Sequence, residues 1–422
     1  MSIEKSADVV VVGSGLAGLS AAVCSAESGM SVIVLERMSK LGGTTRISEG
    51  IFNSYDPRRQ TIAHIEDSPE KHLSDILRVG RNRNHRNLAK TLCYEAYPAL
   101  SWLENMGFAF ADDIEQVKGS PYPRSHRPKT TGKGAAYIDF LTSKLQAIGR
   151  AEILTGVLVK NVLRDRSKGR VTGVSAEAGK ESLNISARRG VVLAFGGFQA
   201  SNELMARYSP LLSGVECEGA EGCRGELLSS VQDIGAQVVN TGYYVWETVL
   251  RKGNRVLLNP SQFILVNKLG RRFCREDLQF DALGERILQQ KDHQAWCVSP
   301  FLSSTDSVPF SDEILFKTVS AYNENASLKE DRAFGKSSAF LTPLTGKLGL
   351  VAAKVFVKTT LGGLLVNEKA QVLDRQGMPI NGLTAAGDAL GGLFGCWASA
   401  GDNLAAAAVF GRVAGMTISQ SL

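Results

Sequence analysis

Two short, uninterrupted runs of hydrophobic residues near the N-terminus frame a segment of different character. The first is the valine run 9–12 within the strand-like segment 8–12, and the second is the run 32–35 within the segment 31–35, which ends at Glu36. Such runs of about four to eight residues are typical of strands buried on both faces of a parallel sheet. The segment between them opens with glycines in the spacing G-x-G-x-x-G, namely Gly13, Gly15 and Gly18. The pattern predicts a strand, a helix and a second parallel strand.

Glycines at this spacing between a strand and a helix favour dinucleotide binding. They permit a tight turn, a close approach of the backbone to a pyrophosphate, and close packing of the helix on the strand. The first turn of the helix offers unpaired N–H groups to phosphate. Glu36, at the end of the second strand, is positioned to accept hydrogen bonds from the ribose hydroxyls of an adenosine.

Two further glycine-rich segments determine which dinucleotide is expected. The second glycine loop, residues 40–50, is one that a simple nicotinamide-binding domain would not need. Near the other end of the chain, Gly387 and Asp388 follow an apolar run, and an alanine-rich helix opens near Asn403. A carboxylate on a glycine turn can bind a ribityl chain, and a helix N-terminus stabilises negative charge on a reduced flavin. Together the three segments indicate FAD.

With these motifs the chain resembles the FAD-dependent oxidoreductase 2 family. This family includes the fumarate reductase and succinate dehydrogenase flavoproteins, together with ketosteroid dehydrogenases, urocanate reductases and tricarballylate dehydrogenases. Ordered matches continue through residues 191–198, 266–273 and 360–364. The resemblance implies an α/β fold, in which a Rossmann-like FAD-binding domain with a mainly parallel sheet carries an inserted, smaller α+β capping domain. We expect the FAD-binding domain to comprise residues 1–241 and 345–422, and the capping domain residues 242–344.

Secondary structure is predicted only coarsely. Helical periodicity predicts helices over residues 70–79, 88–106, 135–148 and 314–323. Strands are predicted over residues 255–258 and 263–267 of the capping domain.

The resemblance also implies which residues bind FAD, and that the binding is noncovalent, because residues 44–50 contain no histidine for covalent attachment. The expected FAD-binding residues are Gly13, Gly15, Leu16, Ala17, Gly18, Glu36, Arg37, Gly42, Gly43, Thr44, Thr45, Ser48, Glu49, Gly50, Val159, Ala194, Gly196, Gly197, Gly363, Gly387, Asp388, Asn403 and Leu404.

In this family a hydride passes between flavin N5 and a carbon–carbon bond next to a carbonyl or carboxylate, and the chain departs from the fumarate-reducing members at three places. Residues 277–281 lack the arginine that donates a proton in those members. Lys358 and Thr359 replace a His-Thr pair, and Ala398 to Ala400 replace a carboxylate-binding arginine. We therefore expect a substrate other than fumarate or succinate.

The remaining catalytic candidates follow from position. They are Lys358, Thr359, Ser399, His126 and Arg127, and Trp397 is a further substrate-contact candidate. Arg272, Arg275 and Glu276 favour a salt-bridged turn over a proton path. Two alternatives stay open: a flavin oxidase acting on a C–N or C–O bond, and a noncatalytic flavoprotein that relays electrons.

Composition and charge indicate which classes of binding partner are expected. The chain has 422 residues, of which 44% are hydrophobic, and a net charge of +6. The only notable basic cluster, Arg81, Arg83 and Arg86, is interpreted as a solvated loop without nucleic-acid binding. A small-molecule substrate is expected, with an anion favoured by the positive charge. The N-terminus lacks a secretory pattern and no apolar stretch is long enough to span a bilayer, so a cytoplasmic protein is expected.

No metal site is expected, and the electron partner is expected to be external. The seven cysteines form no C-x-x-C pair, and no haem or iron–sulfur spacing is present. A second glycine fingerprint for a nicotinamide cofactor is also missing. Electrons are therefore expected to be exchanged with another protein, a quinone, dioxygen or a diffusing reductant.

Overall fold

The computed structural model describes residues 2–117, 120–165, 167, 169–249, 259–278, 280–302 and 307–421. The chain forms two compact units. The first unit comprises Met1–Tyr208, Gly219–Tyr244 and Thr359–Leu422, and the second comprises Ser209–Glu218 and Val245–Lys358. The sequence-based boundaries at residues 242 and 345 stay a prediction.

The first unit is built on an eight-stranded sheet with the strand order β15-β16-β7-β8-β1-β2-β5, and β6 pairs with β7. Strands and helices are numbered along the chain. Those of this sheet are β1 (Ser2–Val12), β2 (Val32–Glu36), β5 (Ala151–Thr155), β6 (Val157–Asp165), β7 (Arg170–Ala178), β8 (Glu181–Leu193), β15 (Gln371–Leu373) and β16 (Pro379–Ala385).

The centre of this sheet is parallel. β1 pairs in parallel with β2 and with β8, and β2 pairs in parallel with β5. Val9, Val10 and Val11 in the middle of β1 are fully buried, which explains why their sequence is continuously apolar rather than alternating. The other arm of β8 continues into an antiparallel meander with β7 and β6. The predicted α/β fold with a mainly parallel sheet is confirmed.

The first unit also contains helices. They are α1 (Leu16–Glu27), α2 (Gly43–Ile47), α3 (Pro57–Ile62), α4 (Pro69–Val79), α5 (Arg86–Asn105), α6 (Gly134–Ile148), α7 (Asn202–Tyr208), α8 (Leu227–Asp233) and α11 (Asp402–Gln420), with a 3-10 turn at Gly387–Ala389. Two antiparallel strand pairs complete the unit, β3 (Phe52–Asn53) with β4 (Ser125–His126) and β9 (Val238–Val239) with β14 (Gly363–Leu364).

The alanine-rich helix α11 packs directly on the first helix of the dinucleotide fold. A Cβ atom at Gly411 would lie 2.3 Å from the carbonyl oxygen of Ala17, and one at Gly415 would lie 2.5 Å from that of Ala21. The small residues of α11 therefore allow its backbone to approach α1 to a distance that larger side chains would prevent. This contact joins the C-terminal segment of the chain to the first nucleotide-binding helix.

The second unit contains a four-stranded sheet with the strand order β10-β13-β12-β11. Its strands are β10 (Tyr244–Val249), β11 (Ile264–Asn267), β12 (Ala295–Ser299) and β13 (Gly349–Thr360), and its helices are α9 (Phe280–Leu288) and α10 (Asp312–Ser327). Four 3-10 turns lie at Pro210–Leu212, Pro260–Gln262, Lys291–His293 and Ser338–Phe340. Ile264, Trp296, Val298 and Tyr322 are among the residues of its hydrophobic core.

A cluster of four charges lies inside the second unit. Arg272 is within 3.0 Å of both Glu276 and Asp331, and Lys336 Nζ lies 3.1 Å from Glu276. The side chains of Glu276 and Lys336 are wholly buried. Two cations therefore balance two anions, as buried charges require.

The predicted helices are present with shifted ends. The predicted helix over residues 70–79 corresponds to α4, 88–106 to α5, 135–148 to α6 and 314–323 to α10. The strand predicted over residues 263–267 corresponds to β11. The strand predicted over residues 255–258 lies outside the described residues. Within the described residues, the structure contains no helix long and apolar enough to cross a membrane.

Candidate cofactor site and catalytic residues

The first glycine turn is fixed by two contacts within the protein. Gly13 has a φ of +103°, and a Cβ atom there would lie 2.2 Å from the carbonyl oxygen of Ala194. A Cβ atom at Gly18 would lie 2.0 Å from the carbonyl oxygen of Gly13. Both positions therefore require glycine for the turn itself, before any ligand is considered.

Gly15 differs, because the protein leaves space beside it. Its φ is −66°, a value open to any residue, and it caps α1 without a side-chain hydrogen bond to the first turn. The nearest atom to a Cβ at Gly15 would be Thr45 Oγ1, at 3.7 Å. An open cradle beside the N–H groups of a helix N-terminus suits a pyrophosphate. This part of the site fits FAD.

Glu36 joins the first glycine turn to the second glycine loop. Its carboxylate is buried and accepts hydrogen bonds from Ser14 N (3.1 Å), from Ser14 Oγ (2.6 Å) and from Met38 N (2.8 Å). Ser14 Oγ in turn accepts from Gly42 N at 3.0 Å. A carboxylate has about four acceptor positions, so Glu36 retains capacity for a ribose hydroxyl.

The second glycine loop is anchored on the first helix. Thr45 Oγ1 accepts a hydrogen bond from Leu16 N at 3.1 Å, and Ser48 Oγ donates to the carbonyl oxygen of Thr45 at 2.8 Å. Thr44 Oγ1 lies 3.4 Å from Cys223 Sγ. Gly43 has a φ of +46°, and a Cβ atom at this position would have no neighbouring atom within 4 Å. The loop is thus fixed at Thr45 and open at Gly43.

Other expected FAD-binding residues have roles within the protein. A Cβ atom at Gly197 would lie 2.3 Å from Thr360 Oγ1, and one at Gly363 would lie 2.3 Å from the carbonyl oxygen of Ala389. Gly196, Gly387 and Gly50 all have positive φ angles, at +81°, +69° and +74°.

Further residues that were expected to bind FAD form ion pairs within the protein or are buried. Arg37 forms an ion pair with Glu226, and Glu49 one with Lys133. Ala17, Val159, Ala194 and Leu404 are buried. Their binding roles stay predictions.

Asp388, one of the residues expected to bind FAD, is held in place by two side-chain hydrogen bonds. It accepts hydrogen bonds from Thr359 Oγ1 at 2.6 Å and from Asn403 Nδ2 at 3.3 Å. Burial raises the pKa of the Asp388 carboxyl above its usual value, and these two hydrogen bonds offset part of that effect. A carboxylate held between two donors at the start of α11 suits the ribityl hydroxyls of FAD.

Beneath the start of α11 lies a polar network that was not predicted from the sequence. The buried Asp402 Oδ1 lies 3.0 Å from His72 Nε2 and accepts from Asn53 Nδ2 at 2.8 Å. Asn53 Oδ1 accepts from Ser125 Oγ at 2.7 Å. His72 and Asp402 are separated by 330 positions, so no local pattern signals their contact.

Two of the catalytic candidates lie on or beside β4. His126 is fully buried, and its Nε2 donates to the carbonyl oxygen of Ser54 at 3.1 Å. Burial lowers the pKa of His126, which favours a neutral ring. Arg127 forms an ion pair with Glu115 at 2.8 Å and donates to the carbonyl oxygen of Glu49 at 3.1 Å. The catalytic roles of both residues stay predictions.

The other candidates lie at the ends of β13 and before α11. In the second unit, Lys358 forms ion pairs with Glu218 and, at 3.0 Å, with Glu247. In the first unit, Thr359 contacts Asp388 as described, and the carbonyl oxygen of Ser399 accepts from the backbone N–H of Asp402 at 3.2 Å. The structure thus brings Thr359 to the predicted flavin residues, and it surrounds the Lys358 ammonium with carboxylates.

The arginines of the capping segment form the salt-bridged turn that was favoured from the sequence. Arg272 pairs with Glu276 and Asp331, and Arg275 pairs with Asp277 at 2.6 Å. Among the described residues, no group of three or more histidine, cysteine, aspartate or glutamate side chains is arranged to hold a metal ion.

Comparison with known proteins is consistent with this site. The model of a family described as "FAD binding domain" matches residues 8–404. The chain therefore belongs to this family of FAD-binding proteins. Its cofactor is FAD, and the protein is an FAD-dependent oxidoreductase acting on CH–CH groups.

The relatives are reductases. The chain is 28% identical to a probable fumarate reductase of Shewanella frigidimarina, over 98% of this chain and 74% of that protein. It is 30% identical to a urocanate reductase of Eggerthella lenta, over 97% of this chain and 74% of that protein. The open conformation of a flavocytochrome c3 fumarate reductase superimposes with a TM-score of 0.86 and 27% identity, covering 99% of this chain and 78% of that one.

Proposed function

We propose that the protein adds hydrogen to, or removes it from, a carbon–carbon bond next to a carbonyl or carboxylate, on a substrate other than fumarate or succinate. The relatives support the reaction type, because fumarate and urocanate are both acids with a carbon–carbon double bond conjugated to the carboxylate. The single observation that carries the proposal is the contact of Thr359 and Asn403 with Asp388, which prepares a flavin-binding carboxylate at the N-terminus of α11.

Different residues of the first unit bind different parts of FAD. The α1 N-terminus and the space beside Gly15 receive the pyrophosphate, and Glu36 receives the adenosine ribose. Asp388 orients the ribityl chain. The N-terminus of α11 offers its positive end to charge that develops on the flavin. Bound FAD supplies hydride transfer at N5.

The charges of the second unit support a substrate other than fumarate. Fumarate-reducing members are expected to use a capping-domain arginine as proton donor, and residues 277–281 contain none. The two arginines just before that segment are committed to carboxylates, since Arg272 contacts Glu276 and Asp331 and Arg275 contacts Asp277. An arginine held by charge-assisted hydrogen bonds is a poor proton donor, because those bonds favour its charged form.

The experiment is an anaerobic reoxidation assay. The purified holoprotein is reduced chemically, single enoates and enones including fumarate are added, and the return of the oxidised flavin absorbance is followed. Chemically reduced free FAD with each compound is the control for uncatalysed reoxidation. We expect rapid reoxidation by at least one compound and slow reoxidation by fumarate.

Two outcomes contradict the proposal at different levels. Rapid reoxidation by fumarate would show that the inference from the missing arginine is wrong. If no unsaturated compound reoxidises the flavin and no saturated counterpart reduces the oxidised form, carbon–carbon chemistry is wrong. Dioxygen consumption with amines or alcohols would then identify an oxidase, and its absence would favour an electron relay.

A further inference from the structure

The strongest unassigned feature of the first unit is a basic segment that joins α4 to α5. No aspartate or glutamate occurs between residues 76 and 94, while Arg78, Arg81, Arg83, Arg86 and Lys90 all lie there. These five cations compare with a net charge of +6 for the whole chain. All five are exposed. These exposed cations therefore form a local excess of positive charge on one short stretch of surface, which we call the basic face.

The basic face contains an open groove of about 670 Å³. Its lining residues include three cations, Arg78, Arg86 and Lys90, and one carboxylate, Glu70, which accepts a hydrogen bond from Tyr94 Oη. Leu73 and Leu77 supply apolar surface. Arginine and aromatic side chains next to apolar area are enriched at protein–protein interfaces, and the groove has this composition.

Among the described residues that line the groove, three cations face a single carboxylate, Glu70, so the groove carries an excess of positive charge. No carboxylate within the described residues forms an ion pair with Arg86 or Lys90. Arg78 lies 3.5 Å from Asp75, but Asp75 is also held at 3.0 Å by the buried Arg124. Arg86 and Lys90 are four positions apart in the first turns of α5, where two cations oppose both each other and the helix dipole. An anionic partner would relieve this repulsion.

The turn that carries these charges is fixed to the segment preceding α11. His85 N donates to the carbonyl oxygen of Gly392 at 2.7 Å, and Asn84 Nδ2 donates to that of Leu393 at 3.0 Å. Cys396 N donates to the carbonyl oxygen of Gly80 at 3.2 Å. The same segment leads to Asn403, which contacts Asp388. A partner on the basic face would thus be bound to an element that continues directly into the flavin site.

We propose that the basic face docks an acidic one-electron carrier protein that exchanges electrons with the FAD. The cations lie along a helix end, a turn and a helix start, a spread that favours a protein surface over a single small anion. Within this sequence no second dinucleotide fingerprint and no haem or iron–sulfur cysteine spacing supplies an internal donor. Complementary charge mainly accelerates encounter, as short-lived electron-transfer complexes need.

The electron balance is simple. Each reduced carrier loses one electron on docking, so two carriers are oxidised for every FAD reduced by two electrons, and the accompanying protons come from water. The proposal depends on the FAD and not on the carbon–carbon substrate, so its test needs no substrate.

The test uses the holoprotein and a chemically reduced, acidic [2Fe–2S] ferredoxin as the probe. Flavin reduction is followed by anaerobic stopped flow at several ionic strengths. In the R86E/K90E variant we expect the second-order rate constant to fall at least about tenfold in low salt, because steering contributes about 10- to 1000-fold. The loss should shrink near 1 M salt, where the screening length is about 3 Å. The second-order rate constant of an R86Q/K90Q variant should lie between those of the original protein and R86E/K90E.

Two controls separate docking from other effects. The K160E/K180E variant changes the net charge equally on the meander of β6, β7 and β8, and should stay within twofold of the original protein. Reduced methyl viologen, a small cation, should reduce R86E/K90E no more slowly than the original protein. Flavin absorbance of each variant reports that FAD is retained.

The proposal is wrong if ferredoxin reduces R86E/K90E and the original protein at rates within twofold in low salt. It is also wrong if calorimetry shows saturable binding of inorganic phosphate that R86E/K90E loses while its reduction by ferredoxin is unchanged. That second result would make the groove a small-anion site.

Discussion

The substitution Gly15→Ala separates the needs of the fold from the needs of the cofactor. Gly15 has a φ of −66° and a ψ of 178°, which alanine adopts without strain. The new Cβ would lie 3.7 Å from Thr45 Oγ1 and 3.8 Å from the carbonyl oxygen of Gly42, both ordinary contacts. Alanine at an N-cap is less favourable than glycine by about 0.5 kcal/mol, and its lower unfolded-state entropy returns about 0.4–1 kcal/mol. The free energy of unfolding of the apoprotein should therefore change by less than about 1 kcal/mol.

The effect on FAD should be much larger. The methyl group would fill the cradle beside the α1 N-terminus that the pyrophosphate is expected to use. Displacing the phosphate from one charge-assisted hydrogen bond costs about 1.5–3 kcal/mol. Since about 1.4 kcal/mol corresponds to a tenfold change in affinity, FAD should bind roughly 10- to 150-fold more weakly.

The assay measures both quantities on the same preparation. Urea unfolding of the apoprotein gives its stability, and quenching of flavin fluorescence on titration gives the FAD dissociation constant. The matched control is Gly18→Ala, whose Cβ would lie 2.0 Å from the carbonyl oxygen of Gly13. That variant should destabilise the apoprotein itself, by about 1–3 kcal/mol or more. The reasoning is refuted if Gly15→Ala binds FAD normally, or if it destabilises the apoprotein as much as Gly18→Ala does.

The remaining predictions concern buried charge and close packing. Lys336→Met should lower the free energy of unfolding of the second unit by about 3–5 kcal/mol, because it leaves a net negative charge in the core; adding Glu276→Gln should recover part of this, and a strictly additive double variant would disprove the coupling. The raised pKa of Asp388 means that the apoprotein loses stability as the pH rises from below the unfolded carboxyl pKa through the folded one. Asp388→Asn should remove that loss. The free energy of unfolding of the Asp388→Asn apoprotein in urea, relative to that of the original apoprotein, should therefore rise from about pH 4 towards a plateau at higher pH. Parallel stability profiles for the two apoproteins would contradict the pKa direction. Gly411→Ala should destabilise the protein by about 1–3 kcal/mol, because the new methyl group collides with the Ala17 carbonyl oxygen; thermal unfolding at an unchanged temperature would show that α1 and α11 tolerate a wider separation.

Local sequence was enough to identify the nucleotide-binding elements. The run of buried valines in β1, the turn at Gly13 and Gly18, and Glu36 at the end of β2 lie within one short stretch of chain. Their roles depend on backbone conformation and on the two-residue and 3.6-residue periods, which neighbouring residues set. The FAD cofactor and the mainly parallel sheet were therefore predictable. The antiparallel pairing of β6 and β7 was not predicted, because the sequence of a short strand does not indicate whether the strand pairs in parallel or antiparallel.

The partners of charged side chains were decided by tertiary structure. Lys358 was a candidate for binding an anion, yet its ammonium lies beside Glu218 and Glu247, and the former is 140 positions away. His126 was a candidate for proton transfer, yet it is fully buried against the carbonyl oxygen of Ser54. The residue type determines which chemistry a side chain can perform. The folded structure determines which groups surround the side chain and how far water is excluded from it.

The sequence by itself thus determined that this chain binds FAD and folds around a parallel sheet, because glycine spacing and hydrophobic period act over a few residues. The tertiary structure alone determined that Asp388 accepts hydrogen bonds from Thr359 and Asn403, and that Asp402 contacts His72. These contacts join segments distant in sequence, and their energies depend on burial and dielectric environment. Both properties arise only when the chain is folded.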